Sequence, residues 1–373
     1  MNRRNLLVSL SAGALLPMTE AFAQTSPPSR FTAVALQTRC DAVNQDATRE
    51  AARARMAAAV ERVSAQIGAA KGFLQGFNGY DVKLVVLPEY WMTGFPLGET
   101  RAQWQDKAAI APGGPEEAAL AAIAQKRGVF LCSNHYETDA HFPDLYFQAN
   151  VVFAPNGNVV LRYRRMISLY APTPYDVWTR YVEKYGEDAV FPIAVTEIGV
   201  LATIASEEIL YPEIARMSVF KGAEILLHPT SEVGSPALTP KHIAKRARAV
   251  ENMAYVVSAN SAGIYGTSIA ANATDGMSIV IDPYGRTLAE AANGETFNAN
   301  AVLDLGALRE TRRKTGMANL LSRLPVDAFA HRYRDAKLAP PDKTPDGKMI
   351  ERAEVIARQR AVIDRLLRDG VLR

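Results

Sequence analysis

This sequence predicts an α/β fold, and three observations carry the prediction. Short β-branched apolar runs alternate with longer amphipathic stretches along the chain. The stretch from Ile198 to Ser231 reads as strand, sharp turn, helix, strand. Its apolar run stops at Ala205-Ser206-Glu207-Glu208, Pro212 opens a helix carrying Ile214, Met217 and Phe220, and a second apolar run spans Glu224 to His228. A similar strand-helix-strand half precedes it.

Taken in order, Phe31 to Thr38 reads as the first strand, and Thr48 to Ala70 as a helix with Met56, Val60, Val63 and Ile67 on one face. Val82 to Leu87 is an apolar run suited to a buried strand. Residues 113 to 127 form a Pro-started helix with Glu116 and Glu117 well placed in its first turn. Strands follow at Val129 to Asn134 and Phe147 to Ala154, and Pro155-Asn156-Gly157 turns the chain into Val159 to Arg162. Residues 171 to 192, rich in Pro and Tyr and holding Trp178, read as a loop at a pocket mouth. Lys245 to Asn260 gives a helix running into a strand, with a further strand at Ala301 to Leu305. Residues 335 to 348 read as a Pro-containing linker, and Met349 to Arg368 as an amphipathic helix with Ile356, Ile363 and Leu367 inward and Gly370 as its cap.

A chain of 373 residues, 48% of them hydrophobic, can bury one large core. The net charge is +3 and no Lys/Arg cluster interleaves with aromatics, which argues against nucleic-acid binding. The opening MNRRNLLVSLSAGALLPMTEAFAQ combines a basic start, a short apolar region and Ala21-Phe22-Ala23, the pattern of a cleaved signal peptide over residues 1–23. Arg3-Arg4 before Asn5-Leu6-Leu7 gives it twin-arginine character, an ordinary secretory signal being the alternative. The expectation is a bacterial periplasmic protein, with a linker at 24–30 and no stable membrane anchor after cleavage. Cys40 and Cys132 fall in buried strands and read as small apolar fillers, although an oxidising compartment would permit a disulfide. The histidines at 135, 141, 228, 242 and 331 are scattered, and no glycine loop cradles a phosphate, so neither metal nor cofactor is expected.

Two polar residues stand out at strand ends. Glu89 closes the buried run LVVL, where a carboxylate is costly unless it is paired or working; a structural ion pair and a general base both fit. Ser206 stands at the carboxyl edge of the central strand, close to backbone N–H groups that can hold a developing anion. The alternative is that it only caps a helix. Glu137 is expected to face water.

The segment Ser206-Glu207-Glu208-Ile209-Leu210-Tyr211-Pro212-Glu213 resembles the nucleophile segment of the nitrilase, or carbon-nitrogen hydrolase, superfamily. There a strand ends in Cys-x-Asp/Glu and Pro-Glu opens the next helix; here serine stands in the cysteine's place. LVVLPEYWMTGF resembles the superfamily's first motif, which makes Glu89 the matching general base. Arg162 to Leu169 resembles the Tyr-Arg-Lys segment, with Arg165 where the family has the lysine that steadies the tetrahedral intermediate. Arginine still offers a cationic fork, but it is bulkier and always charged, and a permanent Glu89–Arg165 pair is the alternative. Thr173 occupies the place of a second glutamate found in amidase-type members, leaving Asp176, Glu137 or Glu232 as substitutes. KRARAVENMAYVVSAN and GMSIVIDP also resemble family segments, so the likeness runs from about residue 31 to 306 in correct order.

The resemblance implies a nitrilase-like four-layer α-β-β-α sandwich over 31–334, with the linker and helix at 335–373 outside it. Members commonly pair across the helix after the nucleophile, which implies a homodimer or higher homo-oligomer. It implies hydrolysis of a small non-peptide amide by Glu89, Arg165 and Ser206, with Tyr90, Thr173, Glu207, Glu208, Tyr211 and Glu232 contacting substrate. A variant has Glu89 activate water directly while Ser206 orients substrate. The competing reading is a catalytically silent protein that binds a small amide, a carboxylate or a partner protein.

Overall fold

The structure is a computed structural model that describes residues 29–373 apart from 170, 236, 275, 337, 345, 349 and 351; the expected signal peptide lies outside the described residues. The strands are β1 (Arg30–Ala35), β2 (Cys40–Asp41), β3 (Val82–Val86), β4 (Phe130–Thr138), β5 (Tyr146–Phe153), β6 (Val159–Arg164) and β7 (Ala194–Thr196), followed by β8 (Gly199–Thr203), β9 (Ile225–Pro229), β10 (Tyr255–Ala259), β11 (Ile264–Tyr265), β12 (Ile279–Ile281), β13 (Thr287–Glu290) and β14 (Asn300–Asp304). The helices are α1 (Arg49–Asn78), α2 (Arg101–Ala108), α3 (Pro115–Arg127), α4 (Trp178–Tyr185), α5 (Pro212–Phe220), α6 (Pro240–Asn252), α7 (Leu305–Arg313), α8 (Val326–Asp335) and α9 (Arg352–Arg368).

Two six-stranded sheets result, ordered β14-β1-β3-β4-β5-β6 and β13-β12-β10-β9-β8-β7. Each has a parallel centre, β1-β3-β4 in one and β8-β9-β10 in the other, flanked by antiparallel strands. Period-two alternation explains the layers. Along β1, Phe31, Ala33 and Ala35 enter the core shared with Ile225, Val256 and Ile281 of the other sheet, whereas Val34 and Leu36 enter the core under α1. On the far side Ile214 and Ala215 of α5 and Ala249 of α6 close the sandwich. The order helix, sheet, sheet, helix is the four-layer arrangement that the resemblance implied.

Local chemistry sets the ends. The Thr48 hydroxyl accepts from the Ala51 N–H at 3.2 Å to start α1, and Gly79 ends it in the left-handed region at φ +71°. The helix therefore runs well past the expected Ala70. Several expectations are corrected. Residues 171 to 192 are not an open loop: α4 lies there, with Tyr181 packed against Phe142 and Phe147. Asp342, within the expected linker, is docked on it, its carboxylate accepting from the Thr179 N–H and hydroxyl at 2.8 and 2.6 Å. Ile356, Ile363 and Leu367 of α9 are exposed rather than inward, although Gly370 does adopt the left-handed cap at φ +71°. Glu137 is fully buried, not solvated, because Arg162 and Arg164 both ion-pair with it. Cys40 and Cys132 are free and buried. Among the described residues no helix is long and apolar enough to cross a membrane.

Two strand histidines are buried without charge. Burial pushes His135, on β4, and His228, on β9, down to about 3 from 6.5, with Arg162 adding to the effect at the first and Lys245 at the second. Below pH 6.5 the unfolded chain binds protons that these imidazoles refuse in the fold, so stability rises with pH between 3 and 6.5 and levels off above it. Denaturant titrations across that window should show each histidine costing about 1 kcal/mol per pH unit of acidification. His135→Leu should remove one such contribution and leave the slope shallower.

Candidate active site

The parallel centres of both sheets end on the same side, where α/β folds bind ligands. Glu89 follows β3, and its N–H donates to the Thr230 carbonyl beyond β9 at 3.2 Å, tying the two sheets together. Its carboxylate is 2% exposed. Oε1 accepts from Gln148 Nε2 at 2.8 Å and from Arg165 Nη1 at 3.3 Å. Tyr90 adopts φ +59° next to it, with its ring against Phe95 and Tyr136.

Arg165 leaves β6 and is 6% exposed. Its fork is saturated on every side: Nε donates to the Ile167 carbonyl at 2.7 Å, Nη1 to Gln148 Oε1 at 2.7 Å, and Nη2 pairs with Glu207 at 2.5 Å. Burial opposes the charge, but Tyr90, Glu89, Glu207 and Glu208 outweigh it and raise the guanidinium further. Glu207 is thus the outward member of a Glu89–Arg165–Glu207 chain.

Ser206 opens the turn after β8 with φ +48°, a left-handed conformation that costs a serine of order 1 kcal/mol, and it is 3% exposed. Its carbonyl accepts from His228 Nε2 at 2.8 Å, while His228 Nδ1 meets the Ser258 hydroxyl at 2.8 Å. A carbonyl can only accept, so Nε2 carries the proton and Nδ1 accepts from Ser258. The Ser206 hydroxyl, among the described residues, has one hydrogen-bond partner, Lys241 Nζ at 3.0 Å. Lys241 is the second residue of α6.

Glu208 lies beneath. It accepts from the Tyr163 hydroxyl at 2.8 Å and from the N–H groups of Met166, Ile167 and Ala205 at 2.7, 2.9 and 3.1 Å. Burial pushes its carboxyl up to about 7, against the pull of Arg165 and these donors. With its oxygens taken up inside the protein, Glu208 holds the β6 exit to the β8–α5 turn rather than meeting substrate, a correction to the sequence expectation. Glu232 is likewise engaged: Lys245, fully buried one turn after Lys241, pairs with it, and the Thr239 hydroxyl donates to it at 3.1 Å. Burial alone would raise its carboxyl, but Lys245 holds it down at about 2.

One expected contact falls outside this cluster. Thr173 is buried and donates through its N–H and hydroxyl to Asp176 at 2.8 and 2.9 Å, closing a local turn, while Asp176 also pairs with Lys343. Neither supplies the missing second glutamate, and Glu137 is spent on its arginines. Tyr211 is 43% exposed at the start of α5. Glu117, His135 and Glu137 bring potential metal donors within 4.8 Å of one another, but Arg162 pairs with both carboxylates. A surface cleft of about 570 Å³, lined by Arg49, Thr100, Gln105 and Asp106, contains none of the site residues.

Gln148, Lys241, Lys245 and His228 were not read from the sequence as site residues. The available signals were the polar pair Gln148 and Asn150 inside an apolar strand, and two lysines at i and i+4 on a helix that must bury one face.

The carbon-nitrogen hydrolase family profile matches residues 45–313. A nitrilase of Pyrococcus abyssi is 29% identical over 235 residues, covering 62% of this chain and 80% of its own. The 2-oxoglutaramate amidase of Bacillus subtilis is 28% identical over 230 residues, covering 61% and 81%. The crystal structure of Saccharomyces cerevisiae Nit3, a nitrilase-superfamily member, shares the fold with a TM-score of 0.61 at 21% identity, over 79% of this chain and 97% of that one. The amidase from Nesterenkonia sp. gives 0.55 at 19%, over 81% and 95%. With motifs in order, matching sheets and a profile spanning most of its length, this chain belongs to the carbon-nitrogen hydrolase family.

Proposed function

We propose that the protein hydrolyses the C–N bond of a small amide through an acyl-enzyme on Ser206. The observation that carries this reading is the strained, buried backbone of Ser206 at the carboxyl end of β8, with its hydroxyl aimed at an amine. Backbone strain of this kind persists where the surroundings enforce it, and such positions cluster at reacting groups. Relatives named as 2-oxoglutaramate amidase and omega-amidase support a small amide as substrate. The leader at 1–23 supports action in the periplasm.

Ser206 Oγ attacks the carbonyl carbon, and Arg165 with a backbone N–H following Ser206 holds the oxyanion. Arg165 becomes available when substrate displaces Glu207, the most exposed member of its carboxylate chain. Glu89, fixed by Gln148 and Arg165, is placed to take a proton from the water that clears the acyl group. A second reading is favoured by one observation: at rest Glu89 is held by Arg165, the fully paired arrangement of a silent binding pocket.

Amine or ammonia release from a panel of small amides tests this. The wild type should turn over at least one; Ser206→Ala should lose at least ~10³-fold, and Glu89→Gln ~10²–10⁴-fold while accumulating an acyl adduct visible by intact mass. Activity surviving in Ser206→Ala but lost in Glu89→Gln assigns attack to directly activated water. Inertness of all three proteins, with a panel amide raising the melting temperature unchanged, assigns silent binding.

The supporting role of Glu208 makes a separate expectation. Glu208→Ala strands the donors of Tyr163, Met166, Ile167 and Ala205 and should cost about 3 kcal/mol in urea unfolding. Glu208→Gln should cost less. A substrate-contacting Glu208 would instead raise KM with stability unchanged.

A further inference from the structure

On the reading that Ser206 is the nucleophile, the structure raises the question of where the serine proton goes. Glu89 spends Oε1 on Gln148 and Arg165, whereas the hydroxyl of Ser206 meets Lys241 Nζ at 3.0 Å. The start of the helix that carries Lys241 is fixed by its neighbours. Its helix is started by Thr239, whose hydroxyl accepts from the His242 N–H at 3.1 Å and donates to Glu232 at 3.1 Å. Glu232 is further fixed by its N–H donating to Asn260 Oδ1 at 2.8 Å. Lys245, one turn along, takes the remaining side of Glu232 as a buried ion pair.

That division of partners matters chemically. Two lysines enter the same polar region on one helix face, and the one nearby carboxylate goes to Lys245. Among the described residues no carboxylate lies within ion-pair distance of Lys241, so its amine is left facing the serine. His228, the other titratable side chain under Ser206, is spoken for: Nε2 donates to the Ser206 carbonyl and Nδ1 accepts from Ser258. Arg165 cannot exchange a proton. A lysine amine in contact with a serine hydroxyl is an established alternative to histidine for activating serine on unrelated folds.

We propose that Lys241 is the catalytic proton acceptor for Ser206, making this site a serine–lysine pair. Lys241 Nζ takes the Oγ–H proton as Oγ bonds to the amide carbon and the carbonyl π pair moves to oxygen. When the tetrahedral intermediate collapses, the C–N bond breaks and the ammonium of Lys241 returns that proton to the leaving nitrogen, releasing the amine. Water then attacks the ester, its proton passing to Glu89, and the Ser206 oxygen leaves with that proton restored, giving the carboxylic acid and the starting enzyme.

The test follows covalent labelling of Ser206 by a fluorophosphonate alongside amide turnover, using the full chain. The wild type should label at Ser206, and Lys241→Met and Lys241→Arg should both label at least ~10²-fold more slowly with unchanged melting temperature. Lys241→Cys alkylated with 2-bromoethylamine, which rebuilds an amine at the same reach, should recover labelling and guards against a folding defect. Wild-type labelling rates in Lys241→Met, or retention in Lys241→Arg, overturn the proton role while amide turnover, if present, leaves the hydrolase reading standing. Labelling that depends on Lys241 without amide turnover keeps the pair and sinks only the amide reading. No adduct on wild-type Ser206 overturns the pair outright.

Discussion

The guanidinium of Arg165 is the constraint around which the site is arranged. A permanent charge buried to this depth costs several kcal/mol unless every face of it is answered. Here Ile167, Gln148, Glu89 and Glu207 answer it, and they come from the β6 exit, β5, the end of β3 and the β8–α5 turn. Neutralising one side chain therefore pins four pieces of chain from two sheets. A lysine would supply the same charge without the planar fork that reaches a carboxylate on either side. An arginine at this position is compatible with the fold because Gln148 and Glu207 complete the fork.

Beneath that charge, Glu208 does for the backbone what Arg165 does for the side chains. Three N–H groups that no strand partner satisfies, at Ala205, Met166 and Ile167, converge on one carboxylate. Their alignment lets the chain leave β8 abruptly and leaves Ser206 in a left-handed conformation, which the His228 contact to its carbonyl then fixes. The strain at Ser206 is thus sustained by buried polar groups on β9, β10 and β6 rather than by the serine itself. A buried polar network of this kind is costly when broken and specifies one arrangement when complete.

How much of this could be read from the sequence divides along physical lines. Most strands of the two large sheets were legible because burial writes itself into apolar runs, the short edge strands β7 and β13 excepted, and Glu89 and Ser206 were legible because a polar residue ending such a run is conspicuous. Glu137 was misread since its neutralising partners, Arg162 and Arg164, sit on β6, two strands away in the sheet order and far along the chain. Helix α4 was missed because Pro174 and the aromatics of its surroundings resemble loop composition, while its burial comes from Phe142 and Phe147 on other segments. Lys241 was invisible for a related reason: a lysine near a helix start is ordinarily a solvated charge, and its contact with Ser206 exists only once α6 is laid across the end of β8. Local pattern is carried by neighbours in the chain, whereas ion pairs and proton partners are chosen by neighbours in space.

In the proposed site, serine at 206 and arginine at 165 bear on each other through the proton. A thiol is a few per cent ionised at neutral pH and intrinsically strong, so a family built on cysteine can tolerate a base that is distant or otherwise engaged. A hydroxyl has no such reserve and needs an acceptor already in contact. An arginine at 165 cannot exchange a proton as a lysine could, and it locks Glu89 into a pair. Both residues push the demand for a proton acceptor toward the other side of the serine, where α6 supplies two lysines and Glu232 absorbs the charge of only one. Serine, arginine and Lys241 form a consistent set: the first creates the need, the second cannot meet it, and the third occupies the position from which the need can be met.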